Sequence, residues 1–202
     1  MVADIRVPGK SSRAYSSRFR SPFRTGNRQG AMMQNSSLAQ QSVLIRSATV
    51  DDAHAIWTIL EPVFRAGETY ALPRDIGRAE AIDYWCRAEH ETFVADDGGE
   101  IVGTYFLRAN QRGGGDHVAN CGYVTAATAQ QRGIARRMLE HSLAHAKERG
   151  FRAMQFNFVV STNERAIRTW RRYGFEVVGR LPAAFRHPTL GFVDALVMYK
   201  PL

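Results

Sequence analysis

Apolar positions from residue 43 onward alternate between two periods, one near two residues and one near 3.6. Val43-Leu44-Ile45-Arg46 reads as a first strand. Asp51 or Asp52 can cap a helix, since a carboxylate accepts from the free amides of a first turn. Ile56, Ile59, Leu60, Val63 and Phe64 then recur at helical spacing. Pro62 falls inside that run and is expected to kink or end the helix. Residues 67–75, with Pro73, read as a loop, and 78–88 as a second helix. Thr92-Phe93-Val94-Ala95 and the run 101–107 flank Asp96-Asp97-Gly98-Gly99, which is a hairpin signal. Gly113-Gly114-Gly115 reads as a flexible loop. It is no phosphate loop, because no Lys-Ser/Thr and no helix follow.

Residues 118–125 form a central strand in this reading. A helix follows over 132–150, with Ala135, Met138, Leu139, Leu143 and Ala146 on one face and Gly150 as its stop. Residues 153–160 are a strongly apolar strand, and 163–173 a helix ending at Gly174. Two final strands are expected at 175–179 and 194–200. The order predicts a mixed α/β sheet with helices on its faces.

Composition adds bounds. A chain of 202 residues suits one domain with a full core, and 45% hydrophobic with 23% charged residues is that of a soluble globular protein. No apolar run approaches the roughly 18 residues of a membrane helix, so no membrane partner is expected. Cys86 and Cys121 stand far apart, with neither disulfide-framework nor zinc spacing, which suits a reducing compartment such as the cytoplasm.

The net charge of +8 is unevenly placed. Residues 1–42 hold seven of the 27 basic side chains and one of the 19 acidic ones, which leaves twenty basic against eighteen acidic in residues 43–202. The first 42 residues are rich in Ser, Arg, Gly and Gln without an apolar period, and read as a disordered basic extension before a domain at 43–202. Three readings of the extension stand side by side: a transit peptide, which would place the protein in the mitochondrion; an over-long start, with Met32 and Met33 just ahead of the domain; or a solvated tail. The positive charge therefore belongs to the tail, and no aromatic–basic stacking platform accompanies it. No nucleic-acid partner is expected.

The candidate chemistry lies where the central strand turns into a helix, at Gln130-Gln131-Arg132-Gly133-Ile134-Ala135. First-turn amides lack internal acceptors and lie at the positive end of the helix dipole, so they suit a pyrophosphate. Gly133 permits close backbone approach, small Ala135 keeps the second turn clear, and Arg132, Arg136 and Arg137 add positive charge.

With its surroundings, this turn resembles the cofactor motif of the GNAT superfamily of acetyltransferases, Gln/Arg-x-x-Gly-x-Gly/Ala. An apolar strand at 154–160, Asn163-x-x-Ala166, Gly174-Phe175 and Glu176-Val177-Val178-Gly179 follow in the superfamily's order. The resemblance covers about residues 43–202. It implies a GNAT fold, with a mixed, mostly antiparallel sheet, splayed fourth and fifth strands and helices on both faces. It implies acetyl-CoA as cosubstrate, with the pantetheine arm along the strand backbone near Tyr123, Val124 and Thr125. Gln130 opens the pyrophosphate turn, the amides of Gln131, Arg132, Gly133, Ile134, Ala135 and Arg136 meet the pyrophosphate, and Asn163 bonds the arm. Transfer would be direct, a neutral amine attacking the thioester carbonyl. Related acetyltransferases are often dimers, so a homodimer is also implied.

Many GNAT members carry a tyrosine seven residues after that asparagine, to protonate the departing thiolate. Here the position is Trp170, and Tyr173 lies almost a turn further on, so it does not simply inherit the role. The thiolate can leave unassisted, since a thiol pKa of about 8.5 makes it a fair leaving group.

A narrower resemblance is to the fungal N-acetyltransferases of toxic proline analogues, which act on azetidine-2-carboxylate. It rests on Asn120, Asn157, Asn163, Trp170 and the ending Gly179-Arg180-Leu181-Pro182 … Asp194-Ala195. It implies a small amino or imino acid as acceptor, its carboxylate held by Asn120 and Asn157, with Tyr123 against its ring. Other amines, such as an antibiotic, a polyamine or a protein N-terminus, and a non-catalytic CoA-binding module are the alternatives.

Glu68, Asp116 and His117 are candidate bases, and water is a fourth. Cys121 reads as a small buried residue rather than a nucleophile. His141 and His145 are one turn apart, but no third ligand accompanies them, so a solvated helix face is expected and no metal. Arg186-His187-Pro188 is expected to line the substrate mouth.

Overall fold

A computed structural model describes residues 43–202; the readings of the N-terminal extension lie outside the described residues. In chain order the elements are β1 (Leu44–Ser47), α1 (Ala53–Ala66), α2 (Arg78–Trp85), β2 (Glu91–Asp97), β3 (Glu100–Ala109), β4 (Val118–Thr125), α3 (Ile134–Glu148), β5 (Ala153–Val160), α4 (Glu164–Arg172), β6 (Glu176–His187) and β7 (Gly191–Pro201). They form one seven-stranded sheet in the order β1-β2-β3-β4-β5-β7-β6. Every neighbouring pair is antiparallel except β4–β5.

That parallel pair shapes the molecule. β4 and β5 are eight residues each, yet they are in register only at Val118↔Ala153 and Ala119↔Met154. Beyond Ala119 they part, leaving a gap in the middle of the sheet.

The strand alternation assigns each β4 side chain to one of two cores. Cys121 and Tyr123 point to the face covered by α3 and α4, among Met138, Leu139, Phe156 and Trp170. Val124 points to the face covered by α1 and α2, among Leu60, Phe64, Trp85 and Phe106. Asn120, four residues before Val124, shares that second face.

Four elements differ from the pattern. α1 runs through Pro62 to Ala66, where Gly67 (φ 68°) ends it, because Ile59, Leu60 and Phe64 are all buried along one stripe and packing outweighs the lost amide. The last two strands are far longer than expected. β6 is the sheet edge, where Pro182 removes no needed ladder bond. A register shift between Leu181 and Phe185 takes up Ala183 at φ 50°, whose amide donates to Asp194 Oδ1 at 2.8 Å. Gly113–Gly115, read as a flexible loop, is a short 3-10 turn.

Candidate active site

The turn from β4 into α3 has an unusual backbone. Gln131 (φ 66°) and Gly133 (φ 76°) are both left-handed, and a Cβ on Gly133 would meet nothing within 4 Å. No side chain caps α3. Its first amides therefore have no side-chain acceptor, which suits an anion. Ile134 and Ala135 bury their side chains in the core, so only their backbone is available. Arg132 leans away to an ion pair with Asp97, and Arg136 pairs with Glu140 at 3.7 Å, so the turn's own amides carry more of the anion-binding capacity than the sequence suggests.

Beside this turn, at the open end of the gap, lies a cavity of about 660 Å³. Thr125, Gln130 and Asn163 line it together with Val63 of α1 and His187 of the β6–β7 end. Asn163 caps α4, its Oδ1 accepting from Ala166 N at 3.1 Å, which fixes its amide at the rim. Glu68 also lines this cavity. Asp116 and His117, the other candidate bases, line neither cavity described here.

A second cavity, of about 700 Å³, opens on the α1/α2 face near the closed end of the gap. Asn120 and Asn157 both line it, so the structure brings this predicted pair together. Asn120 Nδ2 donates to the carbonyl of Gln155 at 2.8 Å, across the parting strands. Asn157 Nδ2 donates to Asn110 Oδ1 at 2.6 Å, and its Oδ1 accepts from Gln155 Nε2 at 2.8 Å. Asn120 and Thr125 are five residues apart on β4, roughly 17 Å along the strand.

Tyr123 requires a correction. Its ring is fully buried on the opposite face from Asn120, with the hydroxyl 2.6 Å from Ser142 Oγ, so its side chain is not available to a substrate in that cavity. An odd spacing along a strand separates the two residues.

Sequence reasoning missed Tyr84, His90, Phe106 and Arg108 of the same cavity. His90 stacks on Phe106 at 4.1 Å, and its Nδ1 donates to the carbonyl of Trp85 at 3.0 Å. Burial holds the ring neutral and pushes its pKa down to about 4. An unfolded histidine titrates near 6.5, so the stability from neutral His90 is present above that pH and is lost as pH falls towards 4. His90→Phe, which keeps the stack, should reduce the loss of urea stability between pH 6.5 and 4 by about 1–2 kcal/mol, allowing for solvent screening.

Comparison with known proteins decides the family. Residues 53–175 match the Acetyltransferase (GNAT) family. The chain belongs to this family. It is 37% identical to a GCN5-related N-acetyltransferase from Kribbella flavida, covering 79% of this chain and 98% of that one at a TM-score of 0.76. It is also 29% identical over 150 residues to N-acetyltransferase aca1 of Schizosaccharomyces pombe, covering 65% of this chain and 71% of the relative. A Salmonella typhimurium acetyltransferase solved with acetyl-CoA shares the fold, at 19% identity and a TM-score of 0.70 over 79% of this chain and 94% of that one.

This GNAT protein is an acetyl-CoA-dependent N-acetyltransferase with a mixed α/β sheet and a parallel β4–β5 pair. Two features fit the cosubstrate: the uncapped, left-handed turn at Gly133 and the gap beyond Ala119. Trp170, in place of the tyrosine acid, is fully buried with ring centroids 5.5 Å from Tyr123 and 4.9 Å from Phe156. Its Nε1 has no hydrogen-bond partner among the described residues. Tyr173 Oη donates a hydrogen bond to Glu140 Oε1 at 2.7 Å and lines neither cavity. Burial and the Glu140 bond push its pKa up to about 12.

Cys121 is fully buried, and burial pushes its thiol up to about 12. Mass spectrometry after incubation with acetyl-CoA alone should find no acetylated Cys121, and Cys121→Ala should keep turnover within about threefold, as a packing change without a lost nucleophile would. An acetyl adduct there would contradict direct transfer. His141 and His145 are not a bare solvated face: Tyr105 Oη lies 2.6 Å from His141 Nδ1, and His145 Nε2 lies 2.7 Å from Glu91. No group of three potential metal ligands occurs among the described residues.

Proposed function

We propose that this enzyme acetylates the amine of a small amino or imino acid of the proline-analogue type. The observation that carries this reading is that Asn120 and Asn157 line one cavity, on one face of the sheet, at the closed end of the β4–β5 gap. Each amide has one N–H committed to a neighbour and a second for a carboxylate. The acceptor would lie with its carboxylate there and its amine towards the gap.

On this reading acetyl-CoA supplies the thioester carbonyl that the amine attacks. The backbone of Val124 and Thr125 aligns its arm, Asn163 anchors that arm, and Gln130 shapes the entrance. The pyrophosphate rests on the amides of Gln131, Arg132, Gly133, Ile134, Ala135 and Arg136. The chain's contribution is chiefly positioning. Among the three candidate bases, Glu68 is the one that lines the cosubstrate cavity, and solvent water is its competitor for the acceptor proton.

The lining argues against a cationic acceptor. Arg87, Arg108 and Arg112 face the second cavity against a single carboxylate, Glu89, which would repel a polyamine. A competition assay tests the reading. With acetyl-CoA and a mixture of azetidine-2-carboxylate, a primary amino acid, spermidine and a short peptide, mass spectrometry should find the acetyl group mainly on the imino or amino acid. Mainly acetylated spermidine or peptide would refute it.

A further inference from the structure

We infer that Arg108 is the specificity-determining residue that makes the second cavity select acceptors with a carboxylate. The inference rests on the function proposed above and adds a residue and a charge to it.

Arg108 ends the apolar run of β3 and is in register directly opposite Asn120 of β4. Cross-strand partners share a face, with Cβ atoms about 5 Å apart. The guanidinium and the Asn120 amide therefore line the same cavity, and Asn157 faces them from β5.

The second observation is what Arg108 lacks. It is half-buried, and Nη1 donates to the carbonyls of Ala109 at 2.9 Å and Asn110 at 3.3 Å. No carboxylate pairs with it among the described residues. Arg46, also half-buried but on β1, has two: Asp52 at 2.8 Å and Asp96 at 3.0 Å. A guanidinium withdrawn from water without a counter-ion is costly, and an incoming carboxylate can take two of its parallel donors.

The surroundings keep that positive charge in place. Arg87 lies over the ring of Tyr84 at 5.2 Å rather than on an acid. Glu89 is exposed and already paired with Arg112 at 3.6 Å. His90 is neutral at physiological pH and neither adds charge nor cancels it. Asn120 and Asn157 supply orientation through neutral amides; Arg108 supplies the charge that distinguishes a carboxylate from an amide of the same shape.

The test pairs azetidine-2-carboxylate with its carboxamide, measuring thiol release and, in parallel, calorimetric binding of each compound to the CoA-bound protein. The wild-type enzyme should prefer the carboxylate. Arg108→Gln should lower kcat/KM for the carboxylate by about 30–100-fold, mostly through KM, and leave the carboxamide within about threefold. Arg108→Lys should recover part of the loss, and CoA affinity should stay unchanged in both variants. A preference for the carboxylate that survives in Arg108→Gln overturns the Arg108 assignment alone. A wild-type preference for the carboxamide overturns the proposed function itself. If neither compound is turned over, binding decides: carboxylate binding that is undiminished in Arg108→Gln, or absent in the wild type, overturns the inference.

Discussion

Gly133→Asp should raise the KM for acetyl-CoA by about 100-fold while leaving the fold's melting temperature nearly unchanged. The two effects separate for physical reasons. At φ 76°, Gly133 holds a left-handed conformation that asparagine and aspartate tolerate better than other residues, and the Cβ has open space. A carboxylate there also lies at the positive end of α3, where negative charge favours the helix. The same carboxylate would face a pyrophosphate. Like charges at about 4 Å cost on the order of 4 kcal/mol at an effective dielectric of 20, and salt reduces this towards the 2–3 kcal/mol behind the stated factor. Gly133→Ala is the control: it carries the strain, about 1 kcal/mol, without the charge. Calorimetric titration with CoA and a thermal melt distinguish them. Equal CoA affinity in Gly133→Asp and wild type would remove the turn from the cosubstrate site.

The second large effect concerns the acceptor. Asn120→Ala and Asn157→Ala should each raise the acceptor KM by roughly 10–100-fold, as expected for loss of one hydrogen bond to a charged group, with CoA affinity retained. Because each amide also ties strands together, through Gln155 and Asn110 respectively, a modest loss of stability should accompany the kinetic effect. Steady-state kinetics with the acceptor varied at saturating acetyl-CoA reads the first, and denaturant titration the second. Unchanged acceptor KM in both variants would leave the pair a purely structural role.

Much of this architecture was legible from pattern. The period switch at each element boundary gave the β-α-α-β-β-β-α-β-α-β-β order, and the Gln130–Ala135 turn pointed to an anion site from its residues alone. The misses have identifiable causes. Pro62 read as a breaker, but a buried apolar stripe carries α1 past it, and the last two strands run well beyond 175–179 and 194–200. Tyr123 was a misreading of information already present, since strand parity alone sets it opposite Asn120. Arg108 was invisible for a different reason. A cation at the end of an apolar run looks like a solvated strand end until register places it opposite Asn120 and no carboxylate pairs with it among the described residues. Likewise, the ion pair of Arg132 with Asp97 joins elements distant in sequence and spacing does not reveal it, whereas Arg136 with Glu140 is an i, i+4 pair that helical spacing offers.

The central claim is acetyl transfer to a small carboxylate-bearing amine, and thiol release from acetyl-CoA across a panel of amino and imino acids tests it most directly. Acceptor-dependent release that is fastest with azetidine-2-carboxylate or a close proline analogue, and slow with the same amines lacking a carboxylate, is the predicted result. Release that no amino or imino acid accelerates, while other amines do, would contradict it.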